Sequence, residues 1–184
     1  MATKDLIRKK YFHKRKKNYF EIDKSFFNPL IKLLKKKLKH KTINLAIYFP
    51  SSYELNILKI IDVDFFKNVN LLLPVVDENK GLKFYKWKNK DVLNINKFGI
   101  LEPLKEKVIT PNVALVPLLS FDKNNNRLGY GKGFYDRYLN KHNELKKNIL
   151  TIGVAFFFQK HHNLPVNKKD FKLDYIITEK GIFK

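Results

Sequence analysis

The chain has 184 residues with a hydrophobic fraction of 44% and an aromatic fraction of 14%, which excludes a disordered chain and fits one domain able to bury about 70% of its unfolded surface. The formal net charge of +21 raises the question of a nucleic-acid partner, but the charge is nearly all lysine, and a codon bias towards Lys, Asn, Ile and Phe accounts for it better. The absence of cysteine excludes disulfides, thiolate zinc sites and thiol nucleophiles, and no apolar run approaches the ~20 residues that span a bilayer.

Residues 3–18 read as a helix with Thr3 as its N-cap. The segment is dense in positive charge, and Leu6, Ile7, Tyr11 and Phe12 offer it one apolar face. A second helix is expected over 28–39, where Pro29 suits the first turn after an Asn28 cap. Its residues Leu30, Leu33, Leu34 and Leu38 recur at helical spacing. Residues 43–49, ending at Pro50, read as a buried strand, 54–66 as a helix, 71–76 as a second buried strand and 81–87 as a half-exposed one. A third buried strand over 113–119 leads into a glycine-rich loop. Residues 133–145 are helical, and 149–157 and 175–178 are further strands. Strands alternating with helices predict an α/β fold: a mostly parallel sheet flanked by helices, in one domain over 1–184 whose N-terminal helices, 1–40, pack on the α/β core. The asparagines at 123–126 read as a loop, not a boundary.

The chemistry concentrates in VALVPLLSFDKNNNRLGYGKGFYDRYL, residues 113–139. Three of the seven glycines in the chain, Gly129, Gly131 and Gly133, fall within five residues. Glycine admits close backbone approach and positive φ, and successive N–H groups before a helix can cradle an anion. Lys132 and Arg127 can neutralise phosphate charge, and Asp136, in the first helical turn, can hold magnesium. Order and residue types describe a nucleotide phosphate site, but neither G-x-x-x-x-G-K-[ST] nor G-x-G-x-x-G is matched. On the residues alone, a tight glycine-rich turn remains open, as does an Asp136 that only complements the helix dipole. The only arginines are Arg8, Arg15, Arg127 and Arg137. Readers of nucleic acid favour arginine for its planar fork, so no nucleic-acid partner is expected.

The string PLLSFDKNNNRLGYGKGFYDRYL resembles the signature of the 5-formyltetrahydrofolate cyclo-ligase family. Further matches follow in the same order: Lys4-x-x-Ile7-Arg8; Tyr48-Phe49-Pro50 followed by Glu54-Leu55; Phe98-Gly99-Ile100-Leu101-Glu102-Pro103; and Leu164-Pro165-Val166 with Asp170, Asp174 and Ile176-Ile177-Thr178. Together they cover essentially the whole chain. The resemblance implies a Rossmann-like three-layer domain and an enzyme that uses ATP and Mg²⁺ to convert 5-formyltetrahydrofolate to 5,10-methenyltetrahydrofolate. In that reaction the formyl oxygen attacks the γ-phosphoryl group and N10 then closes the ring.

By the same resemblance, Lys4 and Arg8 bind ATP phosphates. Arg127, Leu128, Gly129, Tyr130, Gly131, Lys132, Gly133, Phe134 and Tyr135 form the ATP loop, with Lys132, Arg127 and Tyr135 at the reacting groups. Phe49, Glu54 and the stretch Tyr130, Gly131, Lys132, Gly133, Phe134 face the folate, and Asp136 and Asp170 hold the metal. The chain departs from the family pattern in having Asn125 where a turn glycine is usual, Phe134 for one tyrosine, and Phe157-Phe158 where polar residues are usual. Asn tolerates positive φ, so the turn can survive. The five histidines, His13, His40, His142, His161 and His162, form no recognisable metal spacing. The expected setting is the cytoplasm, the expected state a monomer or homodimer, and the expected partner a folate that can carry a polyglutamate tail. Alternatives are a sugar-phosphate-binding α/β enzyme and a non-catalytic RNA-binding relative.

Overall fold

Short apolar runs pair into one central sheet in the computed structural model, which describes residues 3–39, 41–77, 81–97 and 99–184; His40 and Phe98 lie outside the described residues. In chain order the strands are β1 (Asn44–Ala46), β2 (Asn70–Asp77), β3 (Gly81–Lys86), β4 (Leu93–Ile95), β5 (Leu101–Pro103), β6 (Val113–Pro117), β7 (Ser120–Phe121), β8 (Arg127–Leu128), β9 (Leu150–Val154), β10 (Tyr175–Thr178) and β11 (Gly181–Phe183). Seven of them form the sheet in the order β11-β10-β9-β6-β1-β2-β3. The five inner strands run parallel, while β3 and β11 close the two edges as antiparallel partners of β2 and β10. The helices are α1 (Lys4–Lys17), α2 (Asn28–Leu38) and α3 (Phe134–Glu144).

Alternate residues of each strand feed two separate cores, which is why the sheet must be covered on both faces. Leu45, Ile47, Leu71, Leu73, Val113 and Leu115 pack on one side with Phe27, Leu30 and Leu34 from the α2 region. Ala46, Leu72, Ala114 and Val116 pack on the other with Phe84 and Leu139 of α3. The result is the three-layer α/β arrangement that the alternating pattern implies. A smaller cluster of Ile7 and Tyr11 with Leu119, Leu128 and Leu164 docks α1 beside the β7–β8 hairpin, and the Tyr11 hydroxyl donates to the Lys160 carbonyl at 2.9 Å.

Several expectations need correction. The region 54–66 is not one helix but two 3₁₀ runs, Ile57–Asp62 and Asp64–Asn68, separated by Val63 in an extended conformation. Ile57, Ile60 and Phe66 bury into a single cluster from both runs, and burial at a three-residue spacing suits the tighter helix, whose i and i+3 side chains eclipse. The face of α1 is Ile7, Tyr11 and Arg15; Leu6 is 59% exposed. Asn28 is the first residue of α2, not its cap. The strand expected over 113–119 ends at Pro117, and the β7–β8 hairpin separates it from the glycine loop. The apolar run after Val154 turns into a 3₁₀ helix, Phe157–Gln159, and does not continue the strand. Asn125 does take the left-handed conformation, φ 60°, in the hairpin turn.

Candidate functional site

From β1 the chain moves to β2 on one side of the sheet, whereas β6, β9 and β10 extend the other side. Strand order therefore reverses between β1 and β6, and the crevice beyond the carboxyl ends of such strands is where open α/β sheets take ligands. A cleft of about 1290 Å³ opens there. Tyr48 and Phe49 enter it just after β1, Pro117 at the end of β6, and Pro74 and Val76 from β2. Every residue singled out for a role in the sequence lines this one cleft: Lys4, Arg8, Phe49, Glu54, the run 127–136 and Asp170.

The glycine loop owes its shape to two constraints. Gly131 has φ +96°, and a Cβ there would sit 3.3 Å from the Arg8 guanidinium carbon; a Cβ on Gly129 would come within 2.8 Å of Arg127 Nη1. The first constraint is conformational and the second is close approach, and only glycine meets both without displacement. Arg8 crosses from α1 and donates from Nε to the Gly129 carbonyl at 3.0 Å. Helix α3 then begins, with its unpaired N–H groups and Asp136 facing the same cleft.

Cations and carboxylates are paired across the site. Lys4 Nζ contacts Asp170 Oδ2 at 2.5 Å, and Arg127 Nη2 contacts Asp136 Oδ1 at 2.8 Å. The Arg127 side chain is only 4% exposed, whereas Lys4, Asp136 and Asp170 keep about a quarter of their surface. Asp136 Oδ1 also accepts the Phe171 amide at 3.1 Å, which sets the Asp170 backbone beside the Asp136 carboxylate. Arg127 Nε and the Tyr135 hydroxyl are buried without a hydrogen-bond partner, and the Arg127 guanidinium lies 5.7 Å from the Tyr135 ring centroid. Burial pushes the Tyr135 hydroxyl well above its ordinary pKa.

At the other end of the cleft sits Glu54. It is 7% exposed, and its Oε2 accepts from the Ser51 amide at 2.9 Å while its Oε1 accepts from the Tyr130 hydroxyl at 2.6 Å. Desolvation raises its pKa, against the lowering pull of these hydrogen bonds and of the Arg15 charge. Tyr130 as a whole is 44% exposed, but its hydroxyl is turned inward onto Glu54, and its pKa is pushed up first by desolvation of that end and then by the Glu54 carboxylate.

The donor set fits magnesium. Among the described residues no group of three or more His, Cys, Asp and Glu side chains is placed to hold a metal. Magnesium, however, is commonly held by one or two carboxylates together with water and substrate phosphates. Asp136 and Asp170 both line the cleft, and their carboxylates are the hard oxygen ligands that would hold magnesium together with water and substrate phosphates.

Sequence reasoning missed part of the lining. Glu102 is buried and accepts from the Val76 amide at 2.8 Å and from Asn96 Nδ2 at 2.7 Å. It stood inside the stretch 98–103 without a role. Arg137, Lys141, Lys168 and Lys169 add positive charge to the cleft, and their only signal was proximity to Asp136 or Asp170 in the chain.

A mostly parallel sheet with a glycine loop, paired cations and carboxylates at its switch point defines an α/β protein built to receive a small anionic ligand. A profile of the 5-formyltetrahydrofolate cyclo-ligase family matches residues 2–179, and the chain belongs to that family. It is 34% identical to the 5-formyltetrahydrofolate cyclo-ligase of Haemophilus influenzae over 73% of this chain and 75% of that one. It is 31% identical to that of Mycoplasma genitalium over 96% and 98% respectively. Among solved structures, the 5,10-methenyltetrahydrofolate synthetase of Aquifex aeolicus superposes with a TM-score of 0.77 at 30% identity, covering 100% of this chain and 93% of that one. The corresponding protein of Mycoplasma pneumoniae gives a TM-score of 0.71 at 26% identity, with 96% and 98% covered. Among the described residues no helix is long and apolar enough to cross a membrane.

Proposed function

We propose that this chain cyclises 5-formyltetrahydrofolate to 5,10-methenyltetrahydrofolate, with ATP converted to ADP and phosphate. The observation that carries the reading is the single cleft, which draws Lys4 and Arg8 from α1, Glu54 from the segment after β1, the loop 127–136 and Asp170 to one place.

Phosphoryl transfer needs positioning and charge neutralisation more than covalent help from the protein. The residues suit that division of labour. Bound ATP with its magnesium supplies the phosphoryl group and offsets the charge of the phosphates. Arg127, already buried against Asp136, and Lys132 of the loop neutralise the γ-phosphoryl oxygens. Backbone N–H groups of the glycine loop and the start of α3 orient the chain of phosphates. Lys4 and Arg8 grip it from α1. Glu54 accepts from the N–H donors of the pterin, and Phe49 and Phe134 pack against its ring system. The folate is thereby held with its formyl oxygen toward the γ-phosphorus. The O–P bond forms as the bond to ADP breaks. N10 then attacks the activated formyl carbon, loses its proton, and phosphate departs with the formyl oxygen. Tyr135, with its unpartnered hydroxyl, donates a hydrogen bond to the reacting oxygens.

The surface lysines suit a polyglutamate tail through long-range attraction. The test is formation of methenyltetrahydrofolate, followed by its near-ultraviolet absorbance, from purified protein with ATP, Mg²⁺ and 5-formyltetrahydrofolate. A rise that requires both ATP and Mg²⁺ is expected. No rise from folded protein overturns the proposal, and equal KM for mono- and triglutamate substrates overturns the tail preference alone.

A further inference from the structure

Only four of the 38 basic side chains are arginine, and all four meet at this cleft: Arg8, Arg127 and Arg137 line it, and Arg15 lies directly behind it. Arg15 is the one without an evident task. It is 1% exposed, on the buried face of α1. No carboxylate among the described residues pairs with it directly. A buried guanidinium without a direct ion pair is expensive, so its neighbours must explain its presence.

Those neighbours belong to the folate end of the cleft. Arg15 Nη2 donates to the Ser52 carbonyl at 2.6 Å, Nη1 reaches the Leu118 carbonyl at 3.5 Å, and Nε is buried with no partner. Ser52 and the following Tyr53 both have positive φ, 49° and 63°. Two successive non-glycine residues in the left-handed region persist only where surrounding contacts hold them. The guanidinium also lies 5.5 Å from the centroid of the Tyr130 ring, within cation–π range. The same Tyr130 donates its hydroxyl to Glu54, whose other oxygen is held by Ser51.

We infer that Arg15 is a positioning residue for the folate subsite: it clamps the strained Ser51–Glu54 turn to Tyr130 of the glycine loop and supplies the buried positive charge opposite Glu54. The inference rests on the reading of Glu54 as a folate contact. Arg15 touches neither ligand; it acts through Ser52, Tyr130 and Glu54. The titratable groups around Glu54 are Tyr130 from the loop, Tyr48 after β1, Tyr135 from α3 and Arg15 from α1, and of these only Arg15 is cationic. Its charge opposes the desolvation that favours the protonated carboxyl.

The test uses the full chain in three variants, Arg15→Met, Arg15→Lys and Glu54→Gln. The Glu54 carboxyl is titrated in the ligand-free protein by ¹³C NMR with labelled glutamate, and its signal is assigned by its loss in Glu54→Gln. Dissociation constants for 5-formyltetrahydrofolate and ATP are measured on the same proteins between pH 5 and 9. In Arg15→Met the Glu54 midpoint should rise by about one unit, the expected influence of one nearby opposite charge. Folate affinity should fall at least about tenfold near pH 7, and further in acid, while ATP affinity stays within about twofold. Arg15→Lys keeps the charge but loses the fork. It should leave the Glu54 midpoint near that of the parent protein and weaken folate severalfold, so it also carries the test if Arg15→Met does not fold. An unmoved Glu54 midpoint in Arg15→Met, parent-like folate affinity in Arg15→Lys, or equal loss of ATP and folate binding would overturn the inference; the last would make Arg15 a mere dock for α1. If the midpoint moves as expected but Glu54→Gln binds folate normally, the clamp stands and the folate role of Glu54 is what fails.

Discussion

Asp136 pairs with Arg127 and, in the proposed mechanism, would hold magnesium, and two substitutions divide these roles. Its Oδ1 accepts from Arg127 Nη2 at 2.8 Å and from the Phe171 amide at 3.1 Å. Asp136→Ala deletes both acceptors and leaves Arg127, whose side chain is 4% exposed, without its carboxylate. Removing one partner of a fully buried pair costs about 3–5 kcal/mol. Asp136 keeps 23% of its side-chain surface, so the low end, about 3 kcal/mol, applies here. For a chain of this size each kcal/mol moves Tm by roughly 2–4 °C, so Tm should fall by about 6–12 °C. Asp136→Asn keeps an oxygen that can accept both bonds and loses only the charge assistance, about 1 kcal/mol and roughly 2–4 °C. Turnover behaves differently. A neutral amide is a poor magnesium ligand, so both variants should lose about 3 kcal/mol of transition-state stabilisation, on the order of 100-fold in rate. The assays are calorimetric melting without ligand and initial rates over a magnesium titration. Parent-like turnover in Asp136→Asn at limiting magnesium would refute the metal role, and a parent-like Tm in Asp136→Ala would refute the Arg127 pair as a stabilising contact.

Gly131→Ala should cost about 1–3 kcal/mol of backbone strain, because φ is +96° and the new methyl meets Arg8; Tm should drop and the ATP dissociation constant should rise about tenfold, and an unchanged constant would sink the close-approach argument. Glu54 gives a pH signature: its pKa is raised in the folded protein, so its contribution to stability is fullest below its unfolded value of about 4.3 and is lost as pH rises through the folded one. Glu54→Gln should therefore gain stability relative to the parent protein as pH is taken from 4 to 8, read as the difference in Tm at the two pH values. A difference that does not change with pH would contradict the shift. The proposed contact of ionised Glu54 with the folate predicts that folate affinity in the parent protein falls toward acid pH, and a pH-independent dissociation constant would contradict it.

The parallel sheet was legible because β1, β2, β6 and β9 are runs in which both faces are buried, and such strands read as continuous apolar stretches. Element type failed where local pattern underdetermines geometry. Ile57, Ile60 and Phe66 satisfy an α-helical and a 3₁₀ pattern alike, and Val63, with φ −100° and ψ 120°, decides for two short runs. The β4–β5 ribbon left no trace, since three-residue strands with partly exposed side chains carry no alternation worth reading. The glycine loop was legible through its residue types. What surrounds it was not: the β7–β8 hairpin that carries Arg127 into the cleft is tied down by hydrogen bonds from segments distant in sequence, among them the His161 amide to the Phe121 carbonyl and the Leu164 amide to Asp122 Oδ2.

The same limit explains why α1 reads so differently in sequence and in space. Its residues 4–17 look like a solvated basic helix, and Lys9, Lys10, Lys14, Lys16 and Lys17 are indeed outside the buried stripe. Lys4, Arg8 and Arg15, however, fall on one side, at spacings of four and seven residues that return to the same helical face. That side also carries Ile7 and Tyr11, the anchors that dock the helix. Docking through two apolar residues thus presents Lys4 and Arg8 to the cleft and places Arg15 behind it: Lys4 reaches Asp170, Arg8 reaches Gly129, and Arg15 reaches Ser52 and Tyr130. Composition hides the arrangement because lysine, the default cation of this chain, can sit anywhere on the surface. Arginine, with a delocalised charge that tolerates burial and a fork that spans two carbonyls, is what the interior positions require. In a lysine-dominated chain, the rare arginines are therefore the residues to locate first.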